Sequence, residues 1–224
     1  MKVLSHRGLW ATAAEKNTAV AFSRSFKAGW GTETDVRDLA GRLVISHDMP
    51  SGSEVSLDEC LLLQSGLDLP LAINIKADGL AEPLRQLMQH HAVRDWFVFD
   101  MAVPDMRAHL LAGNPVMTRL SEVEPAPVWL ERCCGVWLDG FDSTWFGAAD
   151  IEALLSSGKR VCVVSPELHG REPAALWQML RALRHHEGLM LCTDRPQAAS
   201  GVLGLAPTQH VAAPACVPET LCPI

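Results

Sequence analysis

Eight short apolar runs recur along the chain, and most of them are separated by a stretch with helical periodicity. Runs rich in Val, Ile and Leu that alternate with helices indicate strands paired in parallel and covered on both faces. Because eight such units are enough to close a sheet on itself, the pattern predicts a single-domain α/β protein, a (β/α)8 or TIM barrel. The runs are residues 2–5, 32–36, 71–75, 96–99, 115–118, 136–138, 160–164 and 189–193.

After the second run the chain departs from the simple repeat. Residues 39–42 read as a turn and residues 43–46 as a further short strand, which predicts a small hairpin-like insertion. Near the other end, residues 201–224 are rich in Ala, Pro and Thr without any period. We therefore predict one barrel over residues 1–200 and a flexible tail over residues 201–224.

Two helix starts are marked by capping residues. Asn17 precedes an amphipathic stretch over residues 18–28 and is predicted to cap it. The sequence Ser56-Leu57-Asp58-Glu59 has the form of a capping box and opens a predicted helix through Leu63.

Composition bounds the classes of partner and the compartment. The 224 residues are 48% hydrophobic and carry a formal net charge of -7, which argues against a nucleic-acid or anionic-membrane partner. The sequence has no apolar run of membrane-spanning length, and a reactive histidine at position six leaves no room for a cleavable leader. Seven cysteines without a Cys-x-x-Cys pair fit free thiols in a reducing compartment, so we expect a cytoplasmic protein.

Glu33 and Asp35 occupy alternate positions of a predicted strand, so both side chains project from the same face. Burying two like charges together is costly unless a positive group lies between them, and a divalent cation with oxygen ligands meets that need. Two alternatives remain open. Arg37 would also neutralise the pair, and a solvated edge strand would leave both acids facing water.

His6 and His47 each follow an apolar run, and in parallel α/β proteins reactive groups collect at the carboxyl ends of strands. Imidazole titrates near neutral pH, so one histidine would accept a proton while the other donates one. A single histidine at a strand end is more often a hydrogen-bonded structural residue. Two of them beside an acid pair favour acid-base chemistry.

Four motifs taken together resemble the amino-terminal signature of the glycerophosphodiester phosphodiesterases, and the order and spacing of these motifs are specific. A weaker resemblance continues at residues 73–76 and 193–196, near the last strand. The four motifs are His6-Arg7-Gly8, Asn17-Thr18, Glu33-Thr34-Asp35-Val36-Arg37 and His47-Asp48.

The resemblance implies a (β/α)8 barrel and a hydrolase that cleaves glycerophosphodiesters to an alcohol and a phosphomonoester. It implies acid-base roles for His6 and His47 and a phosphate contact for Arg7. It also implies that Glu33 and Asp35 bind one divalent cation, Mg2+ or Ca2+. The expected partner is a small-molecule phosphodiester.

The chain departs from the family pattern at Asn74, where a third acidic metal ligand is usual, although Lys76 two residues later is present and would offset phosphate charge. An asparagine carbonyl still suits Ca2+ or Mg2+, but one negative charge is lost. Asp100, Asp139 or Glu167 would restore an acid, and the sequence does not choose among them. Each is also a plausible helix cap.

The segment after the seventh run carries Glu167, His169 and Arg171 within five residues. Because this loop of a barrel often contacts phosphate, Glu167 and His169 are predicted to bind the substrate. Two rival functions remain. One is an enzyme of the same fold acting on lysophospholipids or phosphoinositides, and the other is a non-catalytic barrel that binds a phosphorylated ligand.

Overall fold

The computed structural model describes residues 1–205, which form one barrel of parallel strands surrounded by helices. The strands in this part of the chain are β1 Lys2–His6, β2 Gly31–Leu39, β3 Arg42–Ile45, β4 Leu71–Ile75, β5 Trp96–Phe99, β6 Met117–Leu120, β7 Gly135–Leu138, β8 Arg160–Val164 and β9 Leu189–Thr193. The α-helices are α1 Ala19–Lys27, α2 Leu57–Gln64, α3 Ala81–His90, α4 Val103–Ala112, α5 Ala148–Ser156, α6 Ala174–Leu183 and α7 Pro196–Leu203.

Eight of the described strands pair in parallel, in the order β5-β4-β2-β1-β9-β8-β7-β6. A parallel bridge between Val98 and Val116 joins the two ends of this series and closes the barrel. The prediction of a (β/α)8 barrel is therefore confirmed. No helix among residues 1–205 is both long enough and apolar enough to traverse a bilayer.

The hairpin predicted after the second strand is also present. β3 pairs antiparallel with the end of β2, and Leu39 lies opposite Arg42. The two residues between them, Ala40 and Gly41, have φ of 49° and 78°. Two consecutive positive φ values are typical of the tight turns that match the twist of paired strands. β3 returns the chain from Leu39, at the carboxyl end of β2, to the level of Val36 and Asp35.

Apolar side chains fill the barrel interior below its carboxyl end. These are Leu4, Ala72, Phe97, Phe99, Met117, Trp137, Cys162, Val164, Met190 and Cys192. The rings of Phe99 and Trp137 stack with centroids 3.8 Å apart, so Trp137 belongs to the core. Because strand side chains alternate between two faces, the residues two positions later on these strands face the same interior, nearer its carboxyl end.

Two sequence-based boundaries differ from the structure. Residues 201–203 complete α7 and bury Leu203 in the core, whereas they were assigned to the tail. The predicted tail from residue 206 onward lies outside the described residues. Met117–Leu120 forms β6, two residues later than predicted, since Pro115 has no amide hydrogen to donate to a neighbouring strand.

Asn17 is not the cap of α1, which begins at Ala19 with Thr18 in the capping position and without a side-chain capping bond. Asn17 instead has a φ of 60° and turns its side chain to the end of β2. The capping box predicted at Ser56 and Glu59 is confirmed and opens α2.

Candidate active site

Residues predicted to be reactive meet at the carboxyl end of three neighbouring strands. In the sheet register His6 of β1 lies beside Glu33 of β2, and Asp35 lies beside Asn74 of β4. Lys76 follows directly after β4, where its backbone amide donates to the carbonyl of Val36. Positions scattered over 70 residues of sequence therefore form one cluster at the barrel mouth.

The acid pair of β2 is buried, with Glu33 2% exposed and Asp35 fully covered. Burial, and then the negative charge of Asp35, raise the pKa of Glu33 well above its ordinary value, while Arg7 and Lys76 act in the opposite direction. The expectation that Arg37 neutralises the pair is not met, because Arg37 donates to the carbonyl of His47. A solvated edge strand is likewise excluded.

Asp35 is held between two cationic side chains and one amide. Arg7 Nε lies 2.9 Å from Oδ2, and Lys76 Nζ lies 3.5 Å from Oδ1. Asn17 Nδ2 donates to Oδ2 at 2.9 Å, and Asn17 Oδ1 in turn accepts from the Thr34 hydroxyl at 2.9 Å. Asn17 therefore orients the acid pair, a role that the capping interpretation missed, although the Asn17-Thr18 motif had drawn attention to this residue.

The turn after β1 places Arg7 next to these carboxylates. Arg7 has a φ of 57° and donates its amide to the carbonyl of Glu33 at 2.9 Å. Gly8 follows with a φ of 82°, and a Cβ there would lie 2.8 Å from the backbone of Ala21. Only glycine fits both the backbone conformation and the close approach of α1. This explains the His6-Arg7-Gly8 motif physically.

His6 is oriented by an aspartate at the other end of the barrel sequence. Its Nδ1 lies 2.7 Å from Asp194 Oδ1, and its Nε2 lies 3.8 Å from Glu33 Oε2. Burial alone would raise the pKa of Asp194, but the hydrogen bond and charge of His6, followed by Lys16 and Arg7, outweigh it and lower that pKa. An ionised Asp194 fixes the proton on Nδ1 and leaves Nε2 for proton transfer. The resemblance at residues 193–196 was the available signal for Asp194.

His47 follows the hairpin strand β3, and its ring is half exposed. Within residues 1–205 its polar ring contact is with Asp48, at 2.9 Å between Nδ1 and Oδ1. The His47 hydrogen bond and charge lower the pKa of Asp48, and Arg7 contributes in the same direction. The amide of Ser46, just before His47, donates to the carbonyl of Asp35 at 3.1 Å, so this loop begins beside the acid cluster. An acid-base role for His47 stays a prediction.

Two oxygen atoms of this cluster are buried without a hydrogen-bond partner in the described part of the chain. They are Asp35 Oδ1 and Asn74 Oδ1, on residues that are paired in the sheet register. Residues 1–205 contain no group of three or more His, Cys, Asp or Glu side chains arranged to hold a metal. Carboxylate and amide oxygens nevertheless suit Mg2+ and Ca2+, so Glu33, Asp35 and Asn74 fit a hard divalent cation.

The opposite half of the mouth is organised around Arg119. Its guanidinium contacts Asp100 closely, lies 2.6 Å from Asp139 Oδ2 and 3.3 Å from Glu124 Oε2. His169 Nε2 lies 2.8 Å from the second oxygen of Asp139. These side chains form a connected network of ion pairs and hydrogen bonds. The predicted substrate contact of His169 stays a prediction beside this structural role.

Glu167 connects β8 to β9. It accepts hydrogen bonds from the hydroxyls of Ser165 and Thr193, and from the amide of Asp194 at 3.2 Å. Glu167 therefore supports the aspartate that orients His6. Its predicted contact with phosphate stays a prediction.

A cleft of about 440 Å3 opens beside the acid cluster, over the ends of β4, β5 and β6, and Lys76 is the residue of the cluster that lines it. Its polar lining includes Lys76, Asp100 and Arg119, and its apolar lining includes Met101 and Met106. The cleft therefore joins the cationic side of the acid cluster to an apolar wall, as a ligand with a charged and an uncharged part would require.

The fold is similar to that of several solved phosphodiesterases. A glycerophosphodiester phosphodiesterase from Agrobacterium tumefaciens superposes with a TM-score of 0.71 at 19% identity, over 91% of this chain and 99% of that chain. An Oleispira antarctica phosphodiesterase, solved with the product sn-glycerol-3-phosphate, gives 0.67 at 17% identity over 91% and 97%. This chain has their fold.

A more distant similarity leads to a Ca2+-dependent phosphatidylinositol-specific phospholipase C from Streptomyces antibioticus. The TM-score is 0.57 at 10% identity, over 90% of this chain and 95% of that chain. No protein-family model matches the sequence, and comparison with curated protein sequences gave no significant match.

Proposed function

We propose that this protein is a phosphoric diester hydrolase that cleaves glycerophosphodiesters to an alcohol and a phosphomonoester. The observation that carries the proposal is the meeting of His6, Arg7, Glu33, Asp35 and Lys76 at one barrel mouth. The fold shared with glycerophosphodiester phosphodiesterases supports it. A binding barrel would not need a histidine oriented by a partly buried carboxylate.

In the proposed mechanism Arg7 and Lys76 bind the nonbridging oxygens of the diester. His6 moves a proton between its Nε2 and an oxygen of the substrate, while Asp194 stabilises the imidazolium that forms. His47 is proposed to serve as the second acid-base group. Glu33, Asp35 and Asn74 would hold Mg2+ or Ca2+, which supplies positive charge to the phosphate when bound.

The substrate is proposed to be a small molecule, and its compartment the cytoplasm. The five cysteines among residues 1–205 are free thiols, which supports a reducing compartment. The apolar wall of the mouth cleft, which includes Met101 and Met106, favours a second candidate substrate class, the lysophospholipids. For such a substrate the cleft would hold part of the acyl chain.

The experiment that tests the proposal measures alcohol release from a water-soluble deacylated glycerophosphodiester and from a lysophospholipid. We expect release that EDTA abolishes and that Mg2+ or Ca2+ restores. Faster turnover of the lysophospholipid would select the second candidate. Ligand binding without turnover under any metal would instead support the non-catalytic barrel.

The proposed role of His47 is tested with His47→Ala, and His185→Ala, a change at an exposed histidine, is the matched control. We expect His47→Ala to lower kcat by about 10²- to 10⁴-fold while the control keeps wild-type turnover. Near-normal turnover of His47→Ala would remove His47 from the mechanism and leave His6 in it.

A further inference from the structure

Asn74 is held by a residue on the next strand that the mechanism above does not use. Asp100 follows directly after β5, and its Oδ2 accepts a hydrogen bond from Asn74 Nδ2 at 3.1 Å. β4 lies between β2 and β5 in the sheet, and the two polar atoms of an amide stand on opposite sides of its carbon. Donation to Asp100 therefore turns Asn74 Oδ1 toward β2 and its register partner Asp35.

Asp100 is itself fixed from two directions. Its side chain is 14% exposed and its Oδ1 contacts Arg119, whose Nε lies 3.0 Å away. Its backbone has a φ of 62°, a conformation that aspartate adopts more readily than most residues. The chain thus holds this carboxylate in one place, with one oxygen on Arg119 and the other on Asn74.

We infer that Asp100 is a positioning residue that makes Asn74 a cation ligand. It orients the Asn74 oxygen toward Asp35 by accepting the hydrogen bond of the Asn74 amide nitrogen. The inference rests on the cation site of the proposed function. It names, among the candidate acids Asp100, Asp139 and Glu167, the one that contacts Asn74.

The first experiment is isothermal titration calorimetry of Ca2+ and of Mg2+ into the metal-free protein. Asp100→Ala is expected to weaken the Ca2+ affinity by about 10- to 100-fold, as is usual when the group that orients a metal ligand is lost. Asp100→Asn has one oxygen for two donors, and with that oxygen on Arg119 its NH2 group faces the Asn74 amide, so we expect a loss similar to that of Asp100→Ala.

The matched control is Glu124→Gln, which removes a carboxylate from the same guanidinium without touching Asn74. We expect its Ca2+ affinity to stay within about twofold of the wild type, because Glu124 is more than half exposed and its charge is screened. An equal loss in Glu124→Gln and Asp100→Ala would show a general effect of charge and would overturn the inference.

The second experiment exchanges the two residue types. Asn74→Asp alone places two carboxylates within hydrogen-bond distance, so we expect it to bind Ca2+ no more tightly than the wild type. In the double variant Asn74→Asp with Asp100→Asn, the amide at position 100 donates to the new ligand. We expect at least tenfold tighter binding by the double variant than by Asn74→Asp.

Equal affinities of the single and double variants would overturn the inference, as would failure of the wild type to bind either cation. Alcohol release measured in EDTA separates this failure from that of the proposed function. Hydrolysis that persists in EDTA would support the proposed hydrolase activity and contradict the proposed cation site. Asp100-dependent Ca2+ binding without hydrolysis would support the proposed cation site and contradict the proposed hydrolase activity.

Discussion

The two halves of the barrel mouth treat their charged side chains differently. On the β1, β2 and β4 side, Glu33 is 2% exposed with His6 Nε2 3.8 Å from its Oε2, and Asp35 keeps one oxygen free of hydrogen bonds. On the β5 to β8 side, Arg119 is surrounded by carboxylates, and both oxygens of Asp139 are engaged. Oxygen atoms without a hydrogen-bond partner remain at Asp35 and Asn74 on the first side, whereas Arg119 and Asp139 on the second side are satisfied by each other and by their neighbours.

This difference indicates that the two halves of the mouth have different roles, one in ligand binding and one in structural stability. A buried charge that lacks a partner destabilises the folded chain, and a ligand that supplies the partner recovers that free energy. A completed network has nothing left to gain from a ligand and instead fixes geometry. We therefore expect changes on the first side to alter catalysis, and changes at Arg119 and Asp139 on the second side to alter stability.

The largest expected effect is that of His6→Ala on catalysis. Loss of the imidazole that Asp194 orients should lower kcat by about 10²- to 10⁴-fold, while the thermal unfolding temperature stays near that of the wild type. Steady-state kinetics and calorimetry measure the two quantities. If unfolding temperature falls sharply while kcat of the folded fraction is unchanged, His6 belongs to the structural half and the comparison fails.

The next effect is the loss of stability in Arg119→Met. Removing the guanidinium leaves Asp100 and Asp139 without their shared cation, and breaking a buried ion pair in this way costs about 3–5 kcal/mol. Urea unfolding measures the change in the free energy of unfolding. Arg94→Met is the control, because Arg94 is exposed and lies 3.5 Å from Asp68, a surface pair worth about 1 kcal/mol or less.

The smallest effect is a gain of stability in Glu33→Gln. The pKa of Glu33 is raised above its ordinary value of 4.5 in the folded chain. The protonated Glu33 therefore makes its full contribution to the free energy of unfolding below about pH 4.5. That contribution is lost as pH rises through the raised pKa. At pH 8 in EDTA, Glu33→Gln should therefore unfold about 2–4 °C above the wild type.

The same substitution should abolish the stabilisation that Ca2+ or Mg2+ gives to the wild type. Differential scanning calorimetry at several pH values, with and without the cation, measures both effects. A variant that unfolds below the wild type at pH 8 would show that Glu33 is a satisfied structural acid.

Much of the fold was predictable because it depends on local pattern. The apolar runs and the turn at residues 39–42 are written into adjacent residues, and both the barrel and the hairpin followed from them. That Glu33 and Asp35 project from the same face follows from the two-residue period of a strand, whereas the burial of that face does not. His6 at a strand end was predictable on the same basis.

The contacts across the mouth were not predictable in this way. Asn17 is of a residue type that often caps helices. Only its hydrogen bond to Asp35 on β2, seen in the folded chain, shows that it orients this carboxylate. Asp194 is 188 residues from His6, and Asp100 is 26 residues from Asn74. Sequence periodicity carries no information about which strand ends become neighbours when the sheet closes.

The sequence by itself determined the eight parallel strands, the helices between most of them and the residue types that collect at one end, because strand alternation and apolar periodicity are local properties. Only the tertiary structure decided which acids pair with which bases. A charged side chain is satisfied or left open according to the distances between strands, and those distances exist only once the barrel is closed.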